Sequence, residues 1–302
     1  MLNLLKFLML IFLAAPSAVL AQKIDQNKLL KDIEYLSSDE LGGRKPLSEG
    51  NLKARKYIQD RFKALGIKSQ YQDYTQYFDF NNSREGKLYE KAANIVGFIG
   101  GKETDKLIVV MAHYDHIGRD GEKIFNGADD NASGTGGVLA IAEYFSKNRP
   151  NHSMLFVALD AEEMGHQGAK ALVNDFPFPI DQAVLNINMD MISRNIDGEI
   201  YAVGTYHYPQ LKPTIEKVAE GRFPKLLFGH DVPGEKADWT YASDHSQFHR
   251  KGIPFIYFGV EDHDDYHKET DTFDRIQPEF YIGAVELILD IVIAFDRDLN
   301  ND

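Results

Sequence analysis

The 302-residue sequence predicts an α/β fold, a three-layer αβα sandwich with a central, mostly parallel mixed sheet in a single domain. Three observations carry that expectation. Short, wholly apolar runs recur along the chain, as in strands buried on both faces. Between them lie segments with apolar residues at three- and four-residue spacing, the mark of helices packed on such a sheet. No linker, low-complexity stretch or internal repeat follows residue 22, so residues 22–302 read as one domain.

The elements follow in order. Residues 1–21 place Lys6 before an apolar stretch, and small residues lead to Val19-Leu20-Ala21, the layout of a secretory signal peptide cut after Ala21. The stretch is too short for a membrane span and is broken by Pro16 and Ser17. The sequence contains no cysteine, which excludes disulfides and lipid attachment after cleavage. The expected location is therefore the periplasm or the medium, as a non-lipoprotein without stable membrane association.

Residues 48–65 predict an amphipathic helix, with Ala54, Tyr57, Ile58, Phe62 and Leu65 on one face and Gly66 as its stop. Residues 67–80 and 92–99 read as strands, and 107–112 (LIVVMA) as a buried one. A helix over 134–147, a strand over 154–159, a short helix over 167–174 and strands over 182–189 and 253–258 continue the alternation. The last helix, 278–295, is apolar but interrupted by Glu286 and Asp290, which favours packing on the core over spanning a bilayer.

In such sheets ligands bind beyond the carboxyl ends of the strands. Here LIVVMA is followed by HYDH (113–116), MLFVAL by DAEE (160–163), the strand ending at Met189 by Asp190, and IPFIYFG by a segment containing His267. GADDNASG (127–134) lies between the first two. A lone His after a strand is usually structural; five such pieces at one sheet edge suit divalent ions, zinc first, held by imidazole and carboxylate. The net charge of −13, with no basic run, makes nucleic acid an unsuitable partner. Part of that acidity is explained if carboxylates hold metal; otherwise it serves solubility.

HYDH, GADDNASG, EEMGHQG, NMD and YHKETDT, in this order, resemble the M28 family of zinc aminopeptidases, as do LGGR (41–44) and SDHSQFHRKGIPFIYF (243–258). The resemblance implies two zinc ions and peptide substrates. His113 and Asp190 would hold one ion, Glu163 and His267 the other, and Asp130 would bridge them, with a cis peptide between Asp130 and Asn131. Either Asp129 or Asp130 suits the bridge by position, and the family pattern selects Asp130. Glu162 would be the general base. Asp115 would orient His113, Tyr266 would donate to the developing oxyanion, and Asp244 and His245 would border the substrate pocket.

Other features carry less. His116 and His166 fall near the motifs, but no spacing requires them as ligands. The acidic run at Glu261, Asp262, Asp264 and Asp265 lacks the glycine-punctuated spacing of a calcium loop. The glycines at 134, 136 and 137 do not form a full nucleotide-binding motif, and no GxSxG elbow supports a serine hydrolase. The implied function is a secreted aminopeptidase. The alternatives on the same scaffold are a single-zinc glutaminyl cyclase, a carboxypeptidase-type enzyme or a non-catalytic binding module.

Overall fold

The computed structural model describes residues 23–299. The signal-peptide reading of residues 1–21 lies outside the described residues. The strands are β1 (Lys68–Ser69), β2 (Thr75–Asn82), β3 (Lys87–Ile99), β4 (Glu103–His113), β5 (Gly118–Asp120), β6 (Lys123–Phe125), β7 (His152–Leu159), β8 (Ala183–Met189), β9 (Glu199–Val203), β10 (Lys225–Phe228) and β11 (Phe255–Gly259). The helices are α1 (Gln26–Leu36), α2 (Glu49–Ala64), α3 (Gly134–Lys147), α4 (Gln167–Asn174), α5 (Lys212–Ala219), α6 (His245–His249) and α7 (Pro278–Asp298).

One sheet runs β1-β3-β7-β4-β8-β11-β9-β10, with β2 also pairing with β3. Its central strands β7, β4, β8 and β11 are mutually parallel. On one side β3 joins β7 antiparallel, and on the other β9 joins β11 antiparallel. A parallel centre with antiparallel flanks is the mostly parallel mixed sheet that the sequence predicts. β5 and β6 form a separate hairpin.

Alternation along β4 shows how the apolar runs build the layers. Ile108, Val110 and Ala112 face a core shared with Ile33 of α1, Phe62 of α2, Leu139 of α3 and Ile288 of α7. Leu107, Val109 and Met111 face a second core with Leu172 of α4 and Phe248 of α6. At roughly 25 cal/mol per Å² of apolar surface removed from water, these two faces supply most of the drive to fold.

The helix caps explain where elements start. Ser48 accepts from the Asn51 N–H and opens α2, while Asp25 accepts from the Lys28 N–H and opens α1. The glycines of α3 serve close packing. A Cβ at Gly136 would lie 2.4 Å from the Tyr281 hydroxyl, which itself donates to the Ser133 carbonyl. No helix among the described residues is long and apolar enough to cross a membrane.

Three differences from the sequence reading stand out. Residues 67–80 are not one strand, because a short turn at Gln72–Tyr74 separates β1 from β2. The sequence pattern left α1, α5, α6, β9 and β10 unassigned. It also began the last sheet strand at 253, two residues early, since Pro254 precedes β11.

Candidate metal centre

The carboxyl ends of β4, β7, β8 and β11 meet at one edge. β4 ends on His113, and Asp190 directly follows β8. Asp130 comes from the loop that enters α3, its peptide bond to Asn131 cis as the resemblance implies. Glu162 and Glu163 follow β7, and His267 lies in the loop after β11.

The geometry draws these residues into two groups. His113 Nε2 lies 3.2 Å from Asp190 Oδ1 and 3.4 Å from Asp130 Oδ1. His267 Nε2 lies 3.0 Å from Asp130 Oδ2 and 3.4 Å from Glu163 Oε2. Asp130 thus turns one oxygen to each group. His113, Asp130 and Asp190 offer ligand atoms within 4.8 Å of one another, and so do His116, Asp130 and Glu163. Imidazole with carboxylate is a donor set that fits zinc.

Asp115 holds the arrangement together. It is fully buried, its backbone carbonyl lies 3.2 Å from His113 Nδ1, and its carboxylate accepts from the backbone N–H of Glu162 (3.0 Å) and Glu163 (3.3 Å). One side chain therefore fixes the turn that presents both glutamates. Asp271 does the same for the facing loop, accepting from the N–H groups of Asp129 and Asp130.

Beneath lies Arg44, from the LGGR segment, with no exposed surface. Its guanidinium donates to the carbonyls of Tyr114, Asn126, Gly127 and Leu36, tying the end of β4 to the loop that carries Asp130. Burial lowers its pKa to about 10, against the raising influence of Asp115, Asp271, Asp130 and Glu163.

The adjacent glutamates differ in setting. Burial raises the Glu162 carboxyl well above the usual range, with Asp190 and Glu163 adding to the rise and His113 opposing it. Burial would raise Glu163 as well, but His116 and His267 outweigh it and hold that carboxyl below the usual range. Burial also opposes protonation of His113, yet Asp190 and Asp115 carry its pKa well upward. Two neighbouring carboxyls driven apart in this way fit separate acid–base and ligand tasks.

A cleft of about 100 Å³ opens over the group, lined by Asp130, Glu162, Glu163, Asp190, Asp262, Tyr266 and His267 on its polar side. Met191, Trp239, Ala242, Tyr257 and Val260 form the apolar wall. The Tyr266 ring stacks on His267 with centroids 3.9 Å apart. Asp244 and His245 do not border this cleft, contrary to expectation. Both are fully buried at the start of α6, where the His245 ring stacks on Tyr257 at 4.7 Å, so they back the wall instead of lining it.

Besides Asp262, two histidines set aside on sequence grounds enter the site. His116 places Nδ1 2.7 Å from Glu163 Oε1, and His166 places Nε2 3.1 Å from Glu162 Oε1. The second was open to detection as an i,i+4 pair within EEMGH. The first was not, because HYDH alone does not say which imidazole turns inward.

Comparisons with known proteins agree with this architecture. The model of peptidase family M28 matches residues 94–292. Leucine aminopeptidase 2 of Trichophyton rubrum is 26% identical over 163 residues, 53% of this chain and 32% of that protein. A vacuolar membrane protease of Schizosaccharomyces pombe is 25% identical over 280 residues, 87% of this chain and 31% of its own length. The chain thus spans about a third of the length of these curated relatives. Among solved structures, a leucine aminopeptidase precursor from Bacteroides thetaiotaomicron superposes with a TM-score of 0.73 at 20% identity, covering 89% of this chain and 97% of that one. A glutaminyl cyclase from the same organism gives 0.71 at 19%, over 89% and 98%. These structures share the fold, and the family model covers most of the strands and loops that build the metal centre. The chain belongs to peptidase family M28.

Proposed function

We propose that the protein is a zinc-dependent aminopeptidase that removes N-terminal residues from peptides, exported under the direction of residues 1–21. The observation that carries the reading is the pair Glu162–Glu163. One carboxyl is held low among imidazoles, and its neighbour is raised and lines the same cleft.

His113 and Asp190 would hold one ion, Glu163 and His267 the other, with Asp130 between them, in line with the two groups of ligand atoms. Bound there, the ions would supply Lewis acidity that polarises a scissile carbonyl and acidifies water. The remaining work falls to the chain. Glu162 takes a proton from the attacking water and returns it to the leaving amine, a role suited to a carboxyl that burial raises above its usual range. Asp115 keeps Glu162 and His113 in register. Tyr266, at the mouth, donates its hydroxyl to the developing oxyanion. The apolar wall from Met191 to Val260 receives the side chain of the N-terminal residue, and the small cleft leaves room for one residue ahead of the cut.

The cyclase reading keeps a place, because that fold superposes on this one equally well. The complete set of ligand-type residues favours two ions and hydrolysis. Hydrolysis of a leucine anilide by zinc-loaded protein, with free and acetylated α-amine compared, tests the proposal. Turnover of the free form alone, lost in Glu162→Gln, is the expected result. Equal turnover of both forms, or undiminished activity in the variant, would overturn it.

A further inference from the structure

We propose that His116 is a ligand of the second metal position, so that the two ions occupy unequal sites. One is closed, with His116, His267, Glu163 and Asp130; the other is open, with only His113, Asp190 and Asp130. The inference rests on the two-metal reading above and deepens it.

His116 has no exposed surface. Its Nδ1 lies 2.7 Å from Glu163 Oε1 and 3.8 Å from Asp130 Oδ2. At that distance a hydrogen bond between ring and carboxylate would be ordinary, yet neither nitrogen of His116 nor Glu163 Oε1 has a hydrogen-bond partner among the described residues. The atoms are close yet meet no hydrogen-bond geometry. Buried polar atoms left in that state are rare and call for an explanation. Two donors converging on a shared space is the arrangement a metal ion requires.

The same space is reached from the other side. His267 Nε2 lies 3.0 Å from Asp130 Oδ2 and 3.4 Å from Glu163 Oε2, and the His116 and His267 rings meet edge-on with centroids 5.8 Å apart. Asp130 and Glu163 are thus each approached by both imidazoles. The His116 ring is also confined, because a Cβ at Gly127 would stand 2.6 Å from it. Four protein ligands describe a closed zinc site, whereas three leave a position open for substrate or water. The ion beside His113 is then the exchangeable one, and Glu162 and Asp190 beside it line the cleft. The ion beside His116 binds first and is released last.

The test is a cobalt titration of the metal-stripped mature protein, followed by proton NMR of hyperfine-shifted imidazole N–H signals. The proposal expects two such exchangeable signals at one equivalent of Co²⁺, from His116 and His267, and a third from His113 at two equivalents. A single signal at one equivalent and only two at saturation would overturn it, and this measurement needs no variant. Zinc calorimetry supplies the second arm. His116→Ala should weaken the tighter step by more than the about 10–100-fold that follows loss of a partner acting through a ligand, and leave the weaker step in place. A smaller loss would mean that His116 only orients Glu163, and the proposal falls. Wild-type protein that saturates at one ion would instead sink the two-metal reading, and the unequal-site proposal with it.

Discussion

At the residue scale, the adjacent glutamates show how position after a strand becomes chemistry. Asp115 accepts from both their N–H groups, so one buried side chain sets where both carboxylates point. Two predictions belong here. Glu162→Gln should lower kcat by about 10²–10⁴-fold with zinc content unchanged, as checked by steady-state kinetics beside metal analysis. Asp115→Ala should weaken zinc binding by about 10–100-fold, because it removes the carboxylate that lies 3.6 Å from His113 Nδ1 and accepts from the glutamate turn; calorimetric titration would show it. The residues that the geometry brings together fall in motifs visible in the sequence, most of them after strands and Asp130 in the loop before α3. What stayed hidden was orientation. His116 follows the last residue of β4, where strand alternation no longer says which way a side chain faces. Its backbone path is set by Arg44, whose carbonyl lies 3.4 Å from the His116 nitrogen, 72 residues away in sequence.

At the scale of elements, the strands and the long helices were legible because burial writes them as apolar runs and stripes. β9 and β10 were not, being short and only partly buried at one side of the sheet. The 67–80 segment looked like one strand because aromatics suit a pleated surface, whereas the turn at Gln72–Tyr74 is recorded in no residue pattern. Packing between elements depends on charge as well. Glu143 of α3 pairs with Lys28 of α1 at 2.7 Å and Lys147 at 2.7 Å, and lies 3.5 Å from Arg61 of α2. Burial would raise its carboxyl, but Lys147 and Lys28 outweigh burial and bring it to about 2, below its ordinary 4.5. A folded pKa below the unfolded one means stability that is present above pH 4.5 and lost as the pH falls towards 2. Glu143→Gln should therefore be less stable than wild type at neutral pH and lose less between those limits, as denaturant melts across pH would show. Arg44 joins elements more forcefully. Arg44→Met leaves its carbonyl acceptors buried without donors, at about 1–3 kcal/mol for each group left unsatisfied, a loss read from urea unfolding of zinc-loaded protein.

At the scale of the whole molecule, one sheet edge gathers carboxylates around the strand ends, with Arg44 and the imidazoles among the groups that offset them. Without metal that concentration of like charge strains the edge; with metal it becomes a ligand set. Chelation should therefore lower the melting temperature and zinc should restore it, since a ligand that binds only the folded state stabilises it by about 2.7 kcal/mol at a hundredfold excess over Kd. The fold class was legible from the alternation of apolar runs and amphipathic stripes. The antiparallel flanks were not, because strand direction depends on connections that no local pattern encodes. The measurement that tests the central claim most directly is mass spectrometry of a mixed peptide library incubated with zinc-loaded mature protein. The library would hold free and acetylated N-termini, some beginning with glutamine, with Glu162→Gln run in parallel. Stepwise loss of N-terminal residues from free peptides only, abolished in the variant, is the predicted result. Loss of ammonia from glutamine peptides without shortening would contradict it and make the protein a cyclase.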